Sequence, residues 1–155
     1  MNNNRYLLVA TPEELNLEEA QVWKYDRTII VTGPGPTNVI RACRNIPRDS
    51  DVLNVGYVGS PNLSPGTKVD IWRAVLWLPK AGIVDEYDMD LSPIATGVKC
   101  YTVGDFCTSS QGIDPGSVVD MELAYIAAFG FDRLNAVKYV SDNLNKEQYD
   151  LCLRK

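Results

Sequence analysis

The chain has 155 residues, 45% hydrophobic and 23% charged, with a formal net charge of −5 and a pI near 4.7. This composition predicts one globular domain over residues 1–155, and an acidic balance without a basic block argues against a nucleic-acid partner. No apolar run nears the ~18 residues a membrane span needs, and "MNNNRYLLVA" lacks the cleavage pattern of a secretory leader, so a cytoplasmic location away from membranes is expected.

The first elements alternate between strand and helix signals. "RYLLVA" is a short apolar run and reads as a strand. "TPEELNLEEAQVW" then opens with helix-start chemistry. Thr11 suits an N-cap, Pro12 the first helical position, and Glu14 completes a capping box, which accounts for Glu14 without a functional role. "RTIIVT" is a second strand, and Gly33-Pro34-Gly35-Pro36 turns the chain into a helix over "TNVIRACRNI". That turn matches neither dinucleotide nor phosphate-loop spacing, and its prolines lack the N–H groups that would cradle an anion. Two readings stand for it, a plain tight turn or a close backbone approach to a ligand.

"DVLNVGYVG" is a third strand, in which Gly56 and Gly59 bracket Tyr57, placing Tyr57 and Gly59 as candidate ligand contacts. "KVDIWRAVLWL" and "GVKCYTVG" are further strands, rich in β-branched and aromatic residues. Phe106 follows the second of these and suits either core packing or stacking on a flat ring. Residues 118–131, "VVDMELAYIAAFGF", read as a helix that is apolar on nearly every face. With Ser117 as N-cap, Asp120 falls at the third helical position, where an acid serves the backbone donors and the helix dipole. Glu122 has no such account. It shares a stripe with Tyr125, Ile126 and Phe129, and an unpaired buried carboxylate costs several kcal/mol. Its partner is a buried cation, backbone donors or the hydroxyls of a ligand. "LNAVKYV" is the last strand, ending in Ser141-Asp142, and "NKEQYDLCLR" is a closing helix that Asn145 with Gln148 caps better than Asp142 does. Strands alternating with helices predict a largely parallel α/β sheet covered on both faces, with ligands at the carboxyl ends of the strands.

The residue inventory narrows the chemistry. With no histidine in the chain, Ser-His-Asp and Cys-His catalysis are excluded, and acid–base work falls to Asp, Glu, Lys, Tyr or Cys. The four cysteines form no C-x-x-C pair and read as reduced residues in or near the core, so no metal and no cofactor are expected.

Five stretches in one chain order, "VTGPGPTNV", "LNVGYVGS", "YTVGDF", "VVDMELAYIAA" and "VKYVSDNLN", resemble the purine nucleoside phosphorylase and nucleosidase superfamily. Within it they are most similar to methylthioadenosine/S-adenosylhomocysteine nucleosidase, of which this chain looks like a shortened member, the loss falling mainly between Gly66 and Gly104. The resemblance implies a three-layer α/β/α domain with a central mixed, largely parallel sheet, and a homodimer acting on a small-molecule nucleoside.

Carried over by motif, Glu122 and Met121 hold the ribose, and Asp142 is the general acid that protonates the departing purine, positioned with the help of Ser141. Glu14 orients or deprotonates the attacking water, and Phe106 stacks on the base, although the family's aromatic stands one residue later, at Cys107. Asp120 replaces the usual Glu. Where the phosphorylases carry an Arg and a Ser to hold phosphate, this chain has Asn54 and Tyr57. Asn54 matches the hydrolases, and Tyr57 departs from both branches. The resemblance therefore implies a hydrolase of the N-ribosidic bond, the alternatives being a non-catalytic nucleoside binder and a phosphate-dependent phosphorylase.

Overall fold

The computed structural model describes residues 4–78, 82–83, 89–91, 97–103 and 113–153. Three short apolar runs, Arg5–Val9 (β1), Thr28–Val31 (β2) and Asp51–Gly59 (β3), pair in parallel in the order β2-β1-β3. Their side chains alternate between two faces, as strand geometry requires. Leu8 and Val52 join Val39 and Cys43 of helix α2 (Pro36–Cys43) in one buried cluster, whereas Leu7, Val9, Leu53 and Val55 pack with Ala20 of helix α1 (Glu18–Trp23). Helices thus cover both faces of this part of the sheet. The expected helix after β1 is broken into a 3₁₀ turn (Pro12–Asn16) and α1, because Leu17 takes an extended ψ of 144° between them.

The sheet continues through β4 (Lys68–Leu78), which carries the two-residue strands β5 (Gly82–Ile83) and β6 (Met89–Asp90), and through β7 (Val98–Thr102), β8 (Val118–Asp120) and β9 (Arg133–Asp142). β3 pairs with β8, β8 with β7, β7 with β4, β4 with β9, and β9 with β3. These five strands therefore close a ring, which the sequence reading did not anticipate. One buried cluster takes Val58, Ala74, Cys100, Val118 and Val140 from the five strands in turn, so apolar side chains fill much of the ring. The sheet is mixed: β1–β2, β1–β3, β3–β9, β4–β7 and β7–β8 run parallel, and the pairings of β3 with β8 and of β4 with β9 are antiparallel.

The helix expected over 118–131 is corrected. Val118–Asp120 is a strand in register with Cys100–Thr102 of β7, and only Leu123–Ala127 is helical (α3). The β-branched pair Val118-Val119 suits a fully buried strand, and an apolar run does not by itself distinguish that from a buried helix. The last helix, α4 (Lys146–Leu153), starts as expected: Gln148 N donates to Asn145 Oδ1 at 3.0 Å. No described helix is long and apolar enough to cross a membrane.

Candidate active site

A cavity of about 260 Å³ opens at the carboxyl ends of β1, β3, β8 and β9. It is lined by Glu14, Tyr57, Gly59, Met121, Glu122, Ser141 and Asp142, seven of the eight residues singled out from sequence. Its size sits just below the roughly 300 Å³ at which small-molecule pockets usually begin. The eighth, Phe106, lies outside the described residues, as do Gly104, Asp105 and Cys107. A second hollow of about 540 Å³, lined by residues such as Asp90 and Arg133, holds none of these candidates.

Glu14 is buried and bound on three sides. Its Oε1 accepts from Ala10 N at 2.7 Å and Thr11 N at 3.2 Å, and its Oε2 accepts from Tyr57 N at 2.7 Å. The bond from Thr11 N is one half of the expected capping box. Thr11 also lines the cavity, and its buried hydroxyl has no hydrogen-bond partner among the described residues. Burial raises the Glu14 pKa above its ordinary value, against the pull of Lys138 and of the three N–H donors.

Gly56 makes this seat possible, because a Cβ there would stand 2.8 Å from Glu14 Oε2. Gly59 does the same three residues later: its Cβ would meet Leu144 Cδ2 at 2.9 Å and Asp142 Oδ2 at 3.1 Å. The two glycines of "GYVG" thus let two carboxylates close on β3.

Asp142 ends β9 and is 1% exposed. Ser141 Oγ donates to its Oδ1 at 2.6 Å, and Asn145 N donates to its Oδ2 at 3.1 Å. Asn145 caps α4 as expected, and the Asp142 carboxylate, which the sequence reading passed over as a cap, also ties the turn into that helix. Leu144, in that turn, holds a φ of 62°, the one positive φ at a non-glycine described residue. Burial raises the Asp142 pKa, with Ser141, the Asn145 and Leu144 N–H groups and Lys146 acting against it.

Glu122 is 8% exposed and its Oε2 accepts from Gly35 N at 3.1 Å. The Gly33–Pro36 turn thereby acquires a purpose: Gly35, at φ 90°, turns its N–H toward the carboxylate. Burial first, and then the neighbouring Asp120, push the Glu122 pKa up to about 8, while Lys138 and the Gly35 N–H oppose the rise.

Asp120 occupies a different place from the one expected. It ends β8 rather than filling a helical position, although its Oδ2 still serves the start of α3 by accepting from Leu123 N at 2.8 Å. Its Oδ1 accepts from the Thr102 hydroxyl at 2.6 Å, and Lys138 Nζ lies 3.3 Å from its Oδ2.

Lys138 went unnoticed in the sequence. It is 1% exposed, and its ammonium also donates to Asn54 Oδ1 at 2.5 Å. The signal was present: Ala136, Lys138 and Val140 share one face of β9, and both of its neighbours on that face are core residues. Tyr149 and Lys146 of α4, which also line the cavity, were missed because nothing local tells which side of a terminal helix meets a site.

Buried acids at the carboxyl ends of strands, in a mixed α/β sheet, are surroundings in which small-molecule sites that handle protons are commonly found. No family model and no curated protein matches the chain. Solved structures do. The futalosine hydrolase of Helicobacter pylori aligns over 95% of this chain and 89% of its own at 16% identity, with a TM-score of 0.67. The 5′-methylthioadenosine/S-adenosylhomocysteine nucleosidase of Neisseria meningitidis, in complex with methylthio-immucillin-A, aligns over 99% and 93% at 15% identity and a TM-score of 0.71. The S-adenosylhomocysteine nucleosidase of Streptococcus pyogenes, with 5-methylthiotubericidin, gives 99%, 91%, 14% and 0.71. The chain has the nucleoside phosphorylase/nucleosidase fold.

Proposed function

We propose that the protein hydrolyses the N-ribosidic bond of a purine nucleoside or a 5′-thio-nucleoside and releases the free base. One observation carries this reading: Glu14, Glu122 and Asp142, far apart in sequence, converge on one cavity with Ser141 beside Asp142. The solved nucleosidases with this fold support it.

The chemistry asks for an acid and a base at separate places. As the bond between C1′ and the purine nitrogen breaks, the sugar gains oxocarbenium character and the purine gains the bonding pair. Asp142, whose pKa burial raises, gives its proton to the purine. A water attacks C1′ and passes its proton to Glu14, which lines the cavity. Glu122 and Met121 hold the ribose. Burial pushes the Glu122 pKa up to about 8, which brings its protonated form, able both to donate to and to accept from a sugar diol, within reach of neutral pH. Tyr57 and Gly59 complete the wall, and Phe106 belongs to the proposal as the stacking residue.

Pure protein incubated with methylthioadenosine, adenosine and inosine, with and without phosphate, tests the reading by assay of free base. Release that is independent of phosphate is expected. Release only with phosphate makes the protein a phosphorylase. Calorimetric binding without any release makes it a nucleoside-binding protein and overturns the proposed hydrolysis.

A further inference from the structure

The ring of strands is packed mostly with apolar side chains, yet it also encloses an ion pair. Lys138 and Asp120 face each other at 3.3 Å with side-chain exposures of 1% and 0%. A buried ion pair is rarely the most stable way to fill such a space, and Val58, Ala74, Cys100, Val118 and Val140 show the apolar alternative around it. The pair is nevertheless fully connected. Lys138 donates to Asn54 Oδ1, and Asn54 Nδ2 donates to Leu8 O of β1 at 3.0 Å. Asp120 accepts from Thr102 and from Leu123 N, and Thr102 Oγ1 accepts from Ala124 N at 2.9 Å. The network thus joins β1, β3, β7, β8, β9 and the first turn of α3, the segments that carry or flank the site acids.

We propose that Lys138 is a positioning residue for this site: its ammonium, braced by Asp120 and Asn54, holds the Asp120–Glu122 turn and offsets the negative charge that Glu14 and Glu122 carry when ionised. The titratable groups that face it are Asp120 on β8, Cys100 on β7, Glu122 before α3 and Glu14 in the 3₁₀ turn. Burial acts to discharge Lys138, and these neighbours together reverse that effect and keep its pKa above the ordinary lysine value. In return Lys138 is the leading influence that lowers the Glu14 pKa against burial, and it lowers that of Glu122 as well. Without the ammonium both acids hold their protons to higher pH.

The activity readout rests on the nucleosidase reading, so a second readout is paired with it. Wild type is compared with K138M and K138R, and D120N with D120N/K138M, the last comparison avoiding an uncompensated buried Asp120. The pH profile of kcat/KM for base release and the midpoint of thermal unfolding are measured from pH 5 to 9. Loss of the ammonium is expected to cut kcat/KM at neutral pH at least tenfold. It is also expected to move the rising limb of the profile to higher pH and to displace the pH dependence of unfolding in the same direction. K138R is expected to restore the wild-type limb. Unshifted profiles in both comparisons would overturn the assignment whatever the loss in rate. If wild type releases no base, the nucleosidase reading fails separately, and the unfolding curves alone decide the role of Lys138.

Discussion

Asp120 and Glu122 stand two positions apart and meet different environments. Asp120 turns into the strand ring and is claimed by Lys138, Thr102 and Leu123 N, whereas Glu122 has one backbone donor among the described residues, and the cavity. An acid tied on all sides is structural, and one with a free oxygen at a cavity is available to a ligand. At this scale two outcomes are expected. Asp142→Asn keeps the hydrogen-bonded turn but has no proton to give, so kcat falls by roughly 10²–10⁴ with little change in KM, as initial rates of base release will report. Glu122→Ala removes hydrogen bonds to the sugar and raises the nucleoside dissociation constant about 10- to 100-fold, at roughly 0.5–1.5 kcal/mol per bond lost, measurable by calorimetry. If Glu122→Ala binds as wild type does, the ribose assignment is wrong.

Among the elements, β3 organises the site. Its register places Gly56 against Glu14 and Gly59 against Asp142, so two carboxylates reach the cavity from opposite sides of one strand end. Gly56→Ala puts a methyl 2.8 Å from Glu14 Oε2. Glu14 is held by three N–H groups and has little room to retreat. A displacement on the order of 1 Å costs about 10²-fold in rate, so kcat is expected to drop by that factor while the far-ultraviolet circular dichroism stays that of wild type. Both glycines were visible in the sequence as a bracket around Tyr57, but their purpose was not. The reason for a missing Cβ lies in the atoms that occupy its place, and here those atoms belong to residues 42, 83 and 85 positions away. The strand β8 was misread for a similar reason, since Val118–Phe131 is apolar apart from Asp120 and Glu122 and only pairing with β7 distinguishes strand from helix.

For the whole molecule, the buried acids shape the dependence of stability on pH. Glu14, Glu122 and Asp142 all have pKa values raised in the fold. Each therefore binds its proton more tightly folded than unfolded, and its contribution is complete below the unfolded pKa and lost as pH rises through the folded one. For Glu122 the window runs from the ordinary 4.5 to about 8, with a slope of at most about 1.4 kcal/mol per pH unit. Lys138 does not itself titrate in this window, because its own pKa is raised above the ordinary lysine value, although its charge lowers the Glu122 pKa that sets the upper end. The unfolding midpoint is thus expected to fall as pH rises from 5 to 8. Glu122→Gln, which cannot ionise, is expected to flatten the fall and to be more stable than wild type at pH 8.5. Calorimetric scans across that range check both, and a wild-type slope in Glu122→Gln would remove Glu122 as the cause.

The residue pattern by itself determined the alternation of strands and helices, most strand positions, the capping of α4, and which acids lacked a local explanation, because these depend on neighbours a few residues away. It also excluded histidine-based chemistry outright. Only the tertiary structure decided that five strands close a ring, that Lys138 lies inside it against Asp120, and that Asp142 has a structural duty as well as a cavity face. The ring and the Lys138–Asp120 pair arise from contacts across longer sequence separations, and period-2 alternation reports that a face is buried without naming what buries it. The Asp142 bond to Asn145 N spans only three residues and depends on how the turn into α4 folds.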